Sequence, residues 1–187
     1  MSAEEITSGT WDASRLFLVG CRGTGKSTVA RLLARRLGWE WIDADALLEA
    51  RCGRSIRQIF AEKGATAFRD QETELLGELC RAEQQVIATG GGVVLRPANR
   101  ARLKAAGPVV WLTADATTLW QRIQADAGTA ERRPNLTVGG LAEVEELLRV
   151  REPLYSECAS LSISTVGRSP EQVADAILKE MLLYETL

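Results

Sequence analysis

A chain of 187 residues, 45% hydrophobic and 26% charged, is long enough for one substantial core and short for two; a disordered or fibrous chain would not have this composition. Its 23 basic and 25 acidic residues leave a formal net charge of -2 with no basic block, so no nucleic-acid partner is expected. Histidine is absent, which excludes Ser-His-Asp and Cys-His catalysis, histidine metal ligation and a histidine general base.

Residues 1–14 have neither a basic start nor an apolar core, so they read as a flexible leader rather than a secretory signal, with Trp11 as their oddity. No apolar run approaches the length of a membrane span, and a membrane partner is not expected. Cys21, Cys52, Cys80 and Cys158 show no C-x-x-C spacing and read as free thiols of a reducing cytosol, making the expected location cytoplasmic.

The organising stretch comes next. Arg15–Val19 is a short apolar run that predicts a buried strand, and Val29, Leu32, Leu33 and Leu37 then recur at helical spacing. Between them lies Gly20-Cys21-Arg22-Gly23-Thr24-Gly25-Lys26-Ser27, a G-x-x-x-x-G-K-S phosphate-binding loop in its proper strand–loop–helix setting. Glycines permit backbone angles that turn successive N–H groups toward an anion, and the following helix adds the positive end of its dipole. Lys26 is positioned to reach the β- and γ-phosphates of a nucleotide, and the Ser27 hydroxyl to ligate Mg²⁺. Cys21 sits inside this loop, either as an oxidisable group that would block the nucleotide or as a small residue tolerated there.

Gly38 stops the first helix, and Trp39–Ile42 predicts a second strand ending at Asp43-Ala44-Asp45, where open α/β sheets place ligands. A helix is predicted from Ala46, broken by Gly53. Ser55 is the expected N-cap of a further turn or two through Phe60, and after Gly64 a long helix runs from about Ala65 to Ala82. Gln85–Thr89 predicts a third strand, followed by Gly90-Gly91-Gly92, which allows a close backbone approach to a ligand or serves only as a turn. Pro97 opens a helix to Ala106, Val109–Leu112 makes a fourth strand, and Thr113 with Asp115 caps a helix through Gln124. Residues 125–140 form a long Gly/Thr/charge-rich stretch containing Arg132, Arg133 and Pro134, flanked by Gly128 and Gly139-Gly140, and read as a lid. A helix from Leu141 to Tyr155, a fifth strand at Leu161–Ser164 and an amphipathic helix from Pro170 complete the chain. Strands alternating with helices predict a three-layer α/β/α domain over 15–187 with a five-stranded parallel sheet.

Five motifs occur in one order: the phosphate loop, Asp43-x-Asp45, Phe68-Arg69-x-x-Glu72, Gly90-Gly91-Gly92, and Arg133-Pro134 followed by Arg151-x-Pro153-Leu154-Tyr155. In this set the chain resembles the shikimate kinase family, of the nucleoside-monophosphate-kinase-like P-loop NTPase fold, from Arg15 onward. The resemblance implies ATP-dependent phosphorylation of the 3-hydroxyl of shikimate by a P-loop enzyme with a helical substrate-binding region near 45–80 and a lid near 125–140. Carried over by position, Gly23, Thr24, Gly25, Lys26, Ser27 and Thr28 would bind ATP, with Arg122 and Arg168 flanking adenine. Ser27, and Asp43 through water, would hold Mg²⁺. Asp45 would bind the shikimate hydroxyls and act as the base, while Arg69 and Arg151 pair with the carboxylate. Gly90, Gly91 and Gly92 would meet the ring, and Arg133 would close over the transferred group. The catalytic set implied is Lys26, Asp45 and Arg133. Departures fall in the lid, where Asn135 stands in an otherwise Arg-Pro-Leu-Leu pattern, the loop is longer, and Arg132 adjoins Arg133.

Blander readings exist for single residues. Arg69 and Glu72, three apart, fit a surface ion pair; Arg149 and Arg151 fit exposed helix charges; Asp43 and Asp45 fit N-caps. For the whole chain the alternatives are a kinase of another small hydroxy acid such as gluconate, a nucleotide kinase, or a catalytically silent relative. With no heptad repeat in view, the default state is a monomer.

Overall fold

The computed structural model describes residues 14–125 and 139–185. Trp11 and most of the predicted lid, including Gly128, Arg132 and Arg133, lie outside them. In chain order the elements are β1 (Arg15–Val19), α1 (Lys26–Leu37), β2 (Glu40–Asp43), α2 (Ala44–Cys52), α3 (Ile56–Leu79), β3 (Gln85–Ala88), a 3₁₀ turn (Val93–Leu95), α4 (Pro97–Ala106), β4 (Val109–Thr113), α5 (Ala116–Ala125), α6 (Gly140–Cys158), β5 (Leu161–Ser164) and α7 (Pro170–Glu185).

The five strands form one sheet in the order β2-β3-β1-β4-β5, and every pairing is parallel. Alternation along β1 sorts the core into two layers, as a period of two requires. Leu16 and Leu18 face Val29 and Leu33 of α1 and Val173 and Ile177 of α7. Phe17 and Val19 face the opposite layer, where α2 to α6 contribute Leu48, Phe68, Leu103, Leu119 and Tyr155. The sheet is thus covered on both faces, the three-layer arrangement predicted. Arg15 fixes its start: Nε donates to the Ala82 carbonyl at 2.6 Å and a terminal nitrogen to that of Ala106 at 2.8 Å. One cation thereby satisfies carbonyls near the ends of α3 and α4.

Boundaries differ from expectation where hydrogen bonds decide them. Trp39 donates its N–H back to Ala34 at the end of α1, so β2 begins with Glu40, which bonds Gln84. Gly38 closes α1 at φ 71. Asp43 caps α2 by accepting from the N–H groups of Asp45 and Ala46, which starts the helix at Ala44 rather than Ala46. Asp45 itself lies in the first turn and is not the cap. The short helix after Ser55 and the long one after Gly64 join in α3, with Gly64 (φ 79, ψ 173) as a non-helical break inside it. The helix ends at Leu79, not Ala82. Ser55 and Gln58 form a reciprocal capping box at its start. α6 runs on to Cys158 because the Tyr155 carbonyl accepts from Ala159 at 2.9 Å.

Candidate active site

The C-terminal ends of all five strands lie along one edge of the parallel sheet, and the sequence order reverses around β1, the position where such sheets bind ligands. The loop after β1 is shaped by glycine where it must be. Gly20 has φ 141, and a Cβ there would stand 2.5 Å from the Leu112 carbonyl oxygen, so no larger residue fits beside β4. Gly23 and Gly25 have φ 85 and 86. The Lys26 ammonium donates to the Gly20 and Cys21 carbonyls, both at 2.8 Å, and so holds its charge inside the loop. Thr24 is buried and donates its hydroxyl to Cys21 at 2.8 Å, closing the turn. Burial pushes the Cys21 thiol up from its ordinary value, which argues against a reactive thiolate.

Ser27, in the first turn of α1, donates its hydroxyl to Asp43 Oδ2 at 2.5 Å. The other Asp43 oxygen caps α2, so a single carboxylate ties the phosphate loop to the helix that carries Asp45. Asp45 and Glu49 are four apart and share a face of α2, as helical spacing requires. Both line a cleft of about 320 Å³ with Gly23, Gly25, Lys26, Ser27, Thr28 and Asp43. Gly91, Thr89 and Arg22 line it from the side of β3 and the loop.

The glycine run after β3 is buried, and two arginines converge on it. A Cβ at Gly92 would stand 2.6 Å from Arg69 Cζ, so the guanidinium occupies the space a side chain would need. Arg69 pairs with Glu72, and their side chains keep only 13% and 8% of their exposure. That corrects the surface-pair reading. Arg151 is also buried, at 7%, and donates to the Gly91 carbonyl at 3.2 Å, whereas Arg149 is exposed and pairs with Glu146. Of the run, Gly91 lines the cleft.

A second cleft of about 310 Å³ lies on the other side of the phosphate loop, lined by Thr24, Thr28, Arg122, Thr165 and Arg168 among others. Arg122 donates to the Thr165 hydroxyl at 2.8 Å, the Thr165 carbonyl at 2.9 Å and the Gly23 carbonyl at 3.3 Å, bracing the loop against the end of β5. Arg168 is exposed at the rim. All predicted site residues among the described ones therefore gather at this edge; Arg133 lies outside them.

Sequence reasoning missed three groups here. Glu49 lines the cleft and accepts from the first N–H of α3, at Ile56, at 2.9 Å; its spacing from Asp45 was the available signal. Arg22 also lines the cleft. Tyr155 was noted within a motif but given no role, yet it is fully buried and donates its hydroxyl to the Gly91 carbonyl.

Comparison with known proteins agrees with this geometry. The family model described as shikimate kinase matches residues 22–182. The shikimate kinase of Rhodopirellula baltica is 44% identical over 165 residues, covering 88% of both chains. That of Paracidovorax citrulli is 49% identical over 152 residues, 80% of this chain and 81% of its own. The solved structure of the Acinetobacter baumannii shikimate kinase in complex with shikimate superposes with a TM-score of 0.88 at 36% identity, covering 95% of this chain and 97% of that one. Motif order, site geometry and these matches lead to one assignment: the chain belongs to the shikimate kinase family.

Proposed function

We propose that the chain carries out its family's reaction, transfer of the γ-phosphoryl group of ATP to the 3-hydroxyl of shikimate, yielding shikimate 3-phosphate and ADP within chorismate and aromatic amino-acid biosynthesis. The observation that carries the residue assignments is a cleft lined by the phosphate loop, Asp45 and Gly91, with two buried arginines gathered on the glycine run to which Gly91 belongs. Phosphoryl transfer asks mainly for positioning and charge neutralisation, so a histidine-free site suffices.

In this reading the backbone of Gly23 to Gly25, with Thr24 and Thr28, cradles the phosphates, and Lys26 neutralises the charge that develops on the transferred group. Arg122 and Arg168 flank the base in the second cleft. Asp45 orients the reacting hydroxyl and takes its proton. Arg69 and Arg151 recognise the acceptor's carboxylate, since a small polyhydroxylated acid offers few apolar atoms and must be held by charge-assisted bonds. The Acinetobacter relative, solved with shikimate, supports that acceptor. Arg133 closes from the lid near 125–140 over the region near 45–80, the whole of 15–187 acting as one cytoplasmic, monomeric domain.

Mg²⁺ suits the donor set, because the Ser27 hydroxyl and Asp43 carboxylate are hard oxygen groups already 2.5 Å apart. Among the described residues no group of three or more His, Cys, Asp and Glu side chains could hold a metal. Ser27, and Asp43 through water, would hold an ion shared with ATP, since Mg²⁺ commonly binds one or two protein groups plus phosphates. When bound it supplies neutralisation of phosphate charge. ADP release is expected with Mg²⁺-ATP and shikimate together and is expected to stop on chelation of Mg²⁺ by EDTA. ADP release that ignores shikimate or survives EDTA would overturn the reading.

A further inference from the structure

We propose that Tyr155 is a positioning residue for the acceptor side of the cleft: its hydroxyl fixes the Gly91–Gly92 peptide against the phosphate loop. The inference rests on the phosphoryl-transfer reading above and adds a residue to which that reading gives no task.

Tyr155 follows Arg151 by four residues on α6, so both side chains project from one face. Its ring is fully buried and stacks on Trp111 of β4, with centroids 5.9 Å apart. The hydroxyl donates to the Gly91 carbonyl, the oxygen that also accepts from Arg151 at 3.2 Å. The same hydroxyl lies 3.7 Å from Cys21 Sγ, in the phosphate loop. A phenol has one proton. Its proton is shared between the near Gly91 carbonyl and the more distant Cys21 sulfur. Burial raises both groups above their ordinary values, so both keep their protons. The result is a thiol–phenol–carbonyl chain from the loop after β1 to the loop after β3.

The consequence follows from peptide geometry. No peptide in the described chain is cis, so turning the Gly91 carbonyl toward buried Tyr155 turns the Gly92 N–H to the opposite side. The Gly90 and Gly92 carbonyls accept from Val93 and Leu95 within the turn, both at 3.1 Å, whereas the Gly91 carbonyl is held from outside the turn by Tyr155 and Arg151. The competing explanation is a buried tyrosine whose hydroxyl simply finds an acceptor. Kinetics separate the two.

Tyr155→Phe keeps the ring and removes the anchor. The expected result is a KM for shikimate raised about tenfold, the upper end for one neutral hydrogen bond, with the KM for ATP unchanged. An unchanged KM for shikimate, or equal rises for both substrates, would overturn the proposal while wild-type turnover leaves the functional reading standing. Absence of wild-type shikimate turnover would overturn both. Should Tyr155→Phe not fold, 3-fluorotyrosine at position 155 provides a ¹⁹F signal that is expected to shift on adding shikimate alone; an unmoved signal overturns the proposal.

Discussion

Lys26→Met is expected to lower kcat by about two orders of magnitude or more while leaving the melting temperature nearly unchanged. Methionine matches the length of the lysine stem but carries no charge. In the folded protein the Gly20 and Cys21 carbonyls hold the ammonium inside the loop, where the proposed reaction would build charge on the transferred phosphoryl group. Removing one preorganised charge of this kind costs on the order of 3 kcal/mol or more in the transition state. The core packing of α1 is untouched, because Val29, Ala30 and Leu33 anchor it on the other face. Steady-state kinetics beside a thermal melt check this. Near-normal turnover would remove Lys26 from the catalytic set.

Asp45→Asn is expected to reduce kcat by about 10²–10⁴, the range for losing a general base. The amide keeps the shape of the carboxylate and can still hydrogen-bond a hydroxyl, but it cannot take its proton. Stability should change little. Asp45 is half-buried in the first turn of α2 and is not the cap, and its interaction with the helix dipole is worth about 0.3–1 kcal/mol. Asp43→Asn differs in kind, since Asp43 is both the cap and the partner of Ser27. A kcat for Asp45→Asn close to wild type, with only KM raised, would make Asp45 a binding group and not the base.

The layering and the sheet were legible because β1, β3 and β4 are short apolar runs between helical repeats, the mark of strands covered on both faces. The phosphate loop was legible because its glycines and Lys-Ser pair admit few other uses. Element ends were less so: a strand starts where its N–H stops serving the preceding helix, and Trp39 is spent on Ala34. Arg69 and Glu72 illustrate the limit for side chains. Three residues apart on a helix, they have the pattern of an exposed pair; burial comes from the glycine run, which leaves the guanidinium room at Gly92. That contact joins residues more than twenty apart in sequence and has no local signature. Tyr155 was hidden for the same reason, its partners being Gly91 and Cys21 on two other loops.

The most direct test of the account is the acceptor preference of the purified chain. ADP release with Mg²⁺-ATP is measured against shikimate, gluconate and nucleoside monophosphates, and kcat/KM is compared. The roles proposed for Arg69, Arg151 and Asp45 predict turnover with shikimate and little with the others. If the site bonds the acceptor's hydroxyls and carboxylate as proposed, an acceptor that does not match leaves buried polar groups unpaired. A kcat/KM for gluconate or a nucleoside monophosphate equal to or above that for shikimate would contradict the account.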